Sequence, residues 1–271
     1  MQEELKILSA AASGSISLLE SLITPAITLD FTDGDGLSAL IHAAANGYTT
    51  ITAILINAGA KLDLQDKYGR SALMFAASRN HSETALLLIN AGANLELTSK
   101  LGETALIRAA SYGNSEITKY LLNAGAKLEL QNEFGWSALM RAAYSGHTDV
   151  VSVLIGAKAK LDLQDEDNWS ALMWAASNGH TNTVAILIRA GAQLDLQNIH
   201  GATALMISSY YGHISTASLL IEAGANIHLQ EKAGATALIW ASANGHLSLA
   251  ERLMAAEEQL DKNHFDAEPK K

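Results

Sequence analysis

The apolar positions of this chain fall into a block that recurs every 33 residues. Leu40, Leu73, Leu106, Leu139, Leu172, Leu205 and Leu238 form one ladder. Leu22, Leu55, Leu88, Leu121, Leu154, Leu187, Leu220 and Leu253 form a second, which begins one block earlier. Each block reads as two short helices and a connecting hairpin. Ser38, Ser71, Thr104, Ser137, Ser170, Thr203 and Thr236 stand where the first helix begins, and a hydroxyl there accepts an orphan amide hydrogen. Gly47, Gly113, Gly146, Gly179, Gly212 and Gly245 separate the first helix from the second. Gly59, Gly92, Gly125, Gly191 and Gly224 stand where the second ends. Stretches such as "KLDLQD" then alternate apolar and polar, the pattern of an extended hairpin arm.

Gly36, Gly69, Gly102, Gly135, Gly201 and Gly234 keep the same period in the hairpin turn, and Asn168 takes the vacant slot. Asn is the residue that best replaces glycine in a left-handed turn. Residues 1–33 are in register but lack the turn glycine, so the count is eight units with boundaries near 33, 66, 99, 132, 165, 198 and 231. Two positions break the pattern informatively. Lys158 holds the place of a helix-terminating glycine, which predicts either a strained lysine or an earlier helix end at Gly156. Glu257 holds the same place in the last unit, amid strong helix formers. The last helix is therefore expected to run past Ala256 to about Leu260.

The period, the "GWSALMRAAYSGH" frame and tails such as "AGAQLDLQN" resemble ankyrin repeats over roughly residues 3–260. The resemblance implies an all-α solenoid of stacked helix-turn-helix units with short β-hairpin-like loops. It implies one solenoid over 1–264: a capping repeat at 1–33, six internal repeats at 34–231, a second cap at 232–264, and a flexible tail at 265–271. The sequence departs from the family's T-P-L-H core. Ala39 and its equivalents replace the proline, and Ile41, Met74, Ile107, Met140, Met173, Met206 and Ile239 replace the histidine. Apolar contacts between repeats are expected to substitute.

Composition narrows the function. The chain of 271 residues has no cysteine, which excludes disulfides and thiolate metal sites and is compatible with a reducing, cytoplasmic setting. Its start carries no basic segment leading into an apolar run, and no run approaches the roughly 20 residues that span a bilayer. Neither a signal peptide nor a membrane partner is expected. A net charge of −10 argues against a nucleic-acid backbone as the main partner.

The candidate chemistry is thin. His81, His147, His180, His213 and His246 form a ladder, but stacked repeats lie about 10 Å apart and zinc needs each nitrogen about 2 Å away. A structural role is expected, with no metal and no cofactor. The acidic ladder Asp30, Asp63, Glu96, Glu129, Asp162, Asp195 and Asp261 is expected to organise its own hairpin turns by local hydrogen bonds. Ser208 and Ser209, in place of the usual Ala-Ala, are expected to bond one helical turn back. The methionine stripe reads as core. No motif points to an enzyme.

The frame is constant, but certain columns vary. From the resemblance, the concave face is lined by the two positions before the turn glycine, the one after it, the one before Ala-Ala, and the two after. Eleven of the fifteen aromatic residues fall in these columns, where about two would fall by chance. They include all four tryptophans. Tyr68, Arg70, Phe75, Arg79, Arg108, Tyr112, Phe134, Trp136, Arg141, Tyr144, Trp169, Trp174, Tyr210, Tyr211 and Trp240 are the candidate binding residues. Aromatic residues and arginine anchor protein interfaces. The expectation is a non-enzymatic scaffold, monomeric alone, that binds a protein or peptide on this face. Arg108 and Arg141 among aromatics suggest a cationic centre suited to carboxylates, with acidic tips beyond it. Phe75, Trp174 and Trp240 are the residues that could merely cover neighbouring helices. The alternative is a binder of small molecules or single-stranded nucleic acid that uses stacked aromatics.

Overall fold

The structure, a computed structural model, describes residues 2–24 and 27–267, and side chains as far as Gln259. Among these residues the chain forms sixteen helices and divides into two compact units, 1–138 and 139–271. The first unit holds α1 (Gln2–Ser13), α2 (Ile16–Leu22), α3 (Ala39–Ala45), α4 (Thr49–Asn57), α5 (Ala72–Ser78), α6 (Ser82–Asn90), α7 (Ala105–Ser111) and α8 (Ser115–Asn123). The second holds α9 (Ala138–Tyr144), α10 (Thr148–Gly156), α11 (Ala171–Ser177), α12 (Thr181–Arg189), α13 (Ala204–Tyr210), α14 (Ile214–Glu222), α15 (Ala237–Ala243) and α16 (Leu247–Ala267). In each unit, first helices stack on first helices and second on second: α1, α3, α5 and α7 in one row, α11, α13 and α15 in another. The architecture is an all-α repeat solenoid of stacked helix-turn-helix units. The loops are turns, closed at three places by isolated bridges such as Gln65–Ser71 and Gln164–Ser170.

Local chemistry sets the helix ends. Ser38, Ser71, Thr104, Ser170, Thr203 and Thr236 each accept the N–H three residues on, as expected of N-caps. Both leucine ladders are core: Leu40, Leu73 and Leu106 with Leu55, Leu88 and Leu121 in the first unit, and Leu139, Leu172 and Leu205 with Leu154, Leu187 and Leu220 in the second, are buried, while Leu238 in the final repeat is only half-buried. Leu22, in the first repeat, is only half-buried, and Leu19 is the fully buried leucine of α2. The Met/Ile column is buried from Ile41 to Met206, which confirms it as core. Ile239 in the final repeat is 51% exposed, because no further repeat stacks on it.

The histidine ladder explains a glycine column. The Nε2 of His81, His180, His213 and His246 lies 3.0–3.1 Å from the carbonyl of Ala45, Tyr144, Ser177 and Tyr210 respectively. Each carbonyl closes the first helix of the preceding repeat, where carbonyls lack helical partners. To reach it, the ring lies against the glycine between the helices. A Cβ on Gly179 would come within 2.7 Å of His213 Nδ1, and one on Gly47 within 2.5 Å of His81 Nδ1. Asn80 is the departure, a non-glycine at φ +60° in the same column. Its counterpart on the next repeat is not histidine but Asn114, which reaches the Ala77 carbonyl at 2.6 Å with a shorter side chain.

Lys158 adopts φ +67°, the strained alternative. α10 ends at Gly156, as α4 and α6 end at Asn57 and Asn90, so the helix is not cut short. Asn168 is left-handed at φ +59°, as its place in the turn ladder requires. Lys158→Gly should raise the free energy of unfolding by about 1 kcal/mol, since a side chain at positive φ costs that much. Urea unfolding followed by circular dichroism measures it, and an unchanged or lowered midpoint would contradict the strain.

The last helix runs to Ala267, seven residues past the expected end near Leu260. Residues 268–271 of the expected tail, and Met1, Pro25 and Ala26 of the first repeat, lie outside the described residues.

Candidate functional site

The varying columns sit on loop tips and first helices, and one ladder holds the tips in place. Asp33, Asp66, Ser99, Asn132, Asp165, Asn198 and Glu231 stand three residues before each turn position. Each side chain accepts the N–H groups two and four residues on, as Asp165 does from Asp167 (3.0 Å) and Trp169 (2.8 Å), with Glu231 using one oxygen for each. Sequence reasoning missed this ladder. Its signal was present, since Asx and hydroxyl side chains at the start of a turn bond the backbone two residues on.

The acidic ladder that was expected to do this has another task. Asp30, Asp63, Glu96, Asp162 and Asp195 accept N–H groups 31 residues ahead, from Lys61, Asn94, Lys127, Gln193 and Asn226, at 2.8–3.0 Å. These carboxylates tie one repeat to the next rather than shaping their own turns. Asp261 carries no described side chain. Of the serine pair, Ser208 bonds the Leu205 carbonyl as expected, while the buried Ser209 hydroxyl has no partner.

In the first unit Arg70 and Arg108 are held by the protein's own carboxylates and Arg79 by a backbone carbonyl. Arg70 donates from Nε and Nη2 to Asp66 Oδ2 at 2.8 and 2.7 Å, with its guanidinium 4.9 Å from the Tyr68 ring centre and 4.4 Å from that of Phe75. Arg79 lies over the same Phe75 ring at 5.6 Å and donates to the Ala45 carbonyl. Arg108 donates to Ser78 Oγ and to Glu103 Oε2, and its side chain is 13% exposed. Arg70 and Arg108 are thus neutralised, and the cationic centre expected at Arg108 and Arg141 loses the Arg108 charge here. Phe75 is buried beneath the two guanidinium groups, as support for the face. Tyr68, Tyr112 and Phe134 stand exposed, and Trp136 is half-buried.

In the second unit the columns make a run of rings. Trp169 stacks on Trp174 at 4.3 Å, and Tyr144 meets Trp174 edge-on at 5.5 Å. Tyr210 meets Tyr211 at 5.0 Å and Trp240 at 5.4 Å, both edge-on. Asp165 fixes the centre of the run: its second oxygen accepts the Trp174 indole N–H at 2.9 Å. Burial raises the Asp165 carboxyl above its ordinary range, against the opposing bonds from Trp169, Trp174 and Asp167. Arg141 is half-buried on α9, while Tyr144, Tyr210 and Tyr211 are exposed.

Among the described residues, every exposed aromatic side chain lies in these columns: Tyr68, Tyr112, Phe134, Tyr144, Tyr210 and Tyr211. No group of three His, Asp or Glu residues there is placed to hold a metal ion. No described helix is long and apolar enough to cross a membrane.

The family model described as Ankyrin repeats (3 copies) matches at residues 7–99, 86–165, 154–231 and 172–266. The chain belongs to the ankyrin-repeat family. No curated protein matches it. Membership of this family supports a generic non-enzymatic scaffold role.

Proposed function

We propose that this ankyrin-repeat protein binds a protein or peptide partner on the face made by its loop tips and first helices. One observation carries the reading: every exposed aromatic ring among the described residues is on that face. The repeat frame does not require them, since the same columns hold Ala, Ser or Asn in other repeats. Exposed rings on the loop tips and first helices of each unit are what an interface offers, because a large rigid side chain loses little entropy when covered. The cysteine-free composition suits a reducing cytoplasm, and the protein is proposed to be monomeric before it meets its partner.

The alternative, stacking of nucleobases or small aromatic molecules, draws on the Trp169–Trp174 stack. The net charge of −10 weighs against a polyanionic strand. The test is capture from source lysate with the wild-type protein, with Tyr112→Ala/Tyr144→Ala, and with Glu116→Ala/Asp149→Ala on the exposed side of the second helices. A partner retained by the wild type and the second pair, and lost by the first, supports the reading. A partner lost only by the second pair overturns it.

A further inference from the structure

The second unit contains a cavity of about 420 Å³ on this same face, between Trp169 and Trp240, with Tyr210, Tyr211 and Glu231 on its wall and His200 and Asn198 beside them. Its origin is a local shortage of bulk. The column that holds Trp169 holds Ala202 one repeat later, and the column that holds Trp174 and Trp240 holds Ile207 between them. Both small residues line the floor. The walls are fixed, because Trp169 is stacked on Trp174 and Tyr210 is wedged between Tyr211 and Trp240.

The one carboxylate in the lining is ionised and has acceptor capacity left. Glu231 receives the Ala233 N–H on Oε2 at 2.8 Å and the Ala235 N–H on Oε1 at 3.0 Å. An ionised carboxylate has about four lone-pair sites, so each oxygen can accept again. The surrounding tips, residues 165–168, 198–201 and 231–234, carry Asp165, Glu166, Asp167 and Glu231 against Lys232 alone. Ring faces and a carboxylate around one cavity attract a cation. They repel an acidic group.

We propose that this cavity is the specificity pocket of the face and receives a positively charged side chain, lysine or arginine, of the partner. The proposal rests on the protein-binding reading above and names the partner's chemistry. It places a cation at the acidic tips, which the sequence analysis set beyond the arginine centre at Arg108 and Arg141.

The test uses the full chain and three short blocked peptides of the form Gly-X-Gly, with X arginine, citrulline or glutamate. The indole N–H resonances of the four tryptophans report binding. The arginine peptide should shift the Trp169 and Trp240 signals saturably, with Kd on the order of millimolar. The citrulline peptide, matched in shape but uncharged, should bind at least about tenfold more weakly, and the glutamate peptide not at all. Glu231→Gln should remove at least about tenfold of the arginine affinity, and Trp240→Ala should do so without touching the Glu231 turn. Equal binding of arginine and citrulline, preference for glutamate, or no saturable shift with arginine would overturn the pocket. None of these outcomes alters the fate of a partner lost by Tyr112→Ala/Tyr144→Ala, so failure of the pocket is distinguishable from failure of the interface.

Discussion

Gly179→Ala should destabilise the protein by about 3 kcal/mol, whereas Gly191→Ala should cost about 1 kcal/mol. Both glycines have positive φ, +67° and +93°. The backbone penalty is therefore shared, at about 1 kcal/mol. They differ in what an added methyl meets. Nothing lies within 4 Å of a Cβ on Gly191, but one on Gly179 would sit 2.7 Å from the His213 ring. The ring must then leave the Ser177 carbonyl, to which it bonds at 3.0 Å. Stranding a helix-ending carbonyl costs about 1–3 kcal/mol further. Urea unfolding of the two variants separates the contributions, and equal losses would show that the ring is not braced against the glycine. The same logic predicts a rescue in the other unit. Asn114→His alone should destabilise, because its ring would fall on the Asn80 side chain. Asn80→Gly combined with Asn114→His should recover the loss, a coupling of neighbours that a double-mutant cycle resolves.

Much of this fold was legible because a repeat states its rules several times over. Ser38 and its equivalents could be assigned as caps, the left-handed backbone at Asn168 was readable from the glycine it replaces, and at Lys158 it was one of two alternatives. What was not legible depends on contacts between repeats. The Asp30 ladder looks like a turn former in one repeat, and only stacking shows its carboxylates reaching amides 31 residues away. The arginine columns suggested free positive charge, but Arg70 and Arg108 have Asp66 and Glu103 within their own loops and helices. Their pairing depends on side-chain direction, which spacing does not give. The end of α16 was placed short, since no sequence signal between Leu260 and Ala267 stops a helix. The cavity over Ile207 was hidden for a different reason. Attention to where bulk accumulates, at Trp174 and Trp240, overlooks the small residue that leaves room between them.

The central claim is that the constant frame builds the stack and the varying columns read a partner. Truncating an anchor of such a face costs at least about 2 kcal/mol of binding, about thirtyfold in Kd. Tyr112, Trp136 and Tyr144 are the anchors to truncate, since two of them are exposed and the third is half-buried. Glu116 and Asp149, exposed on α8 and α10, are the controls. With the captured partner in hand, titration calorimetry on each alanine variant decides the matter, alongside urea unfolding to confirm that the fold is kept. The expected result is a Kd raised at least about thirtyfold by Trp136→Ala or Tyr144→Ala and unchanged within about twofold by Glu116→Ala and Asp149→Ala. Binding abolished by the Glu116 and Asp149 changes, and indifferent to loss of the rings, would place the reading surface on the opposite side of the stack.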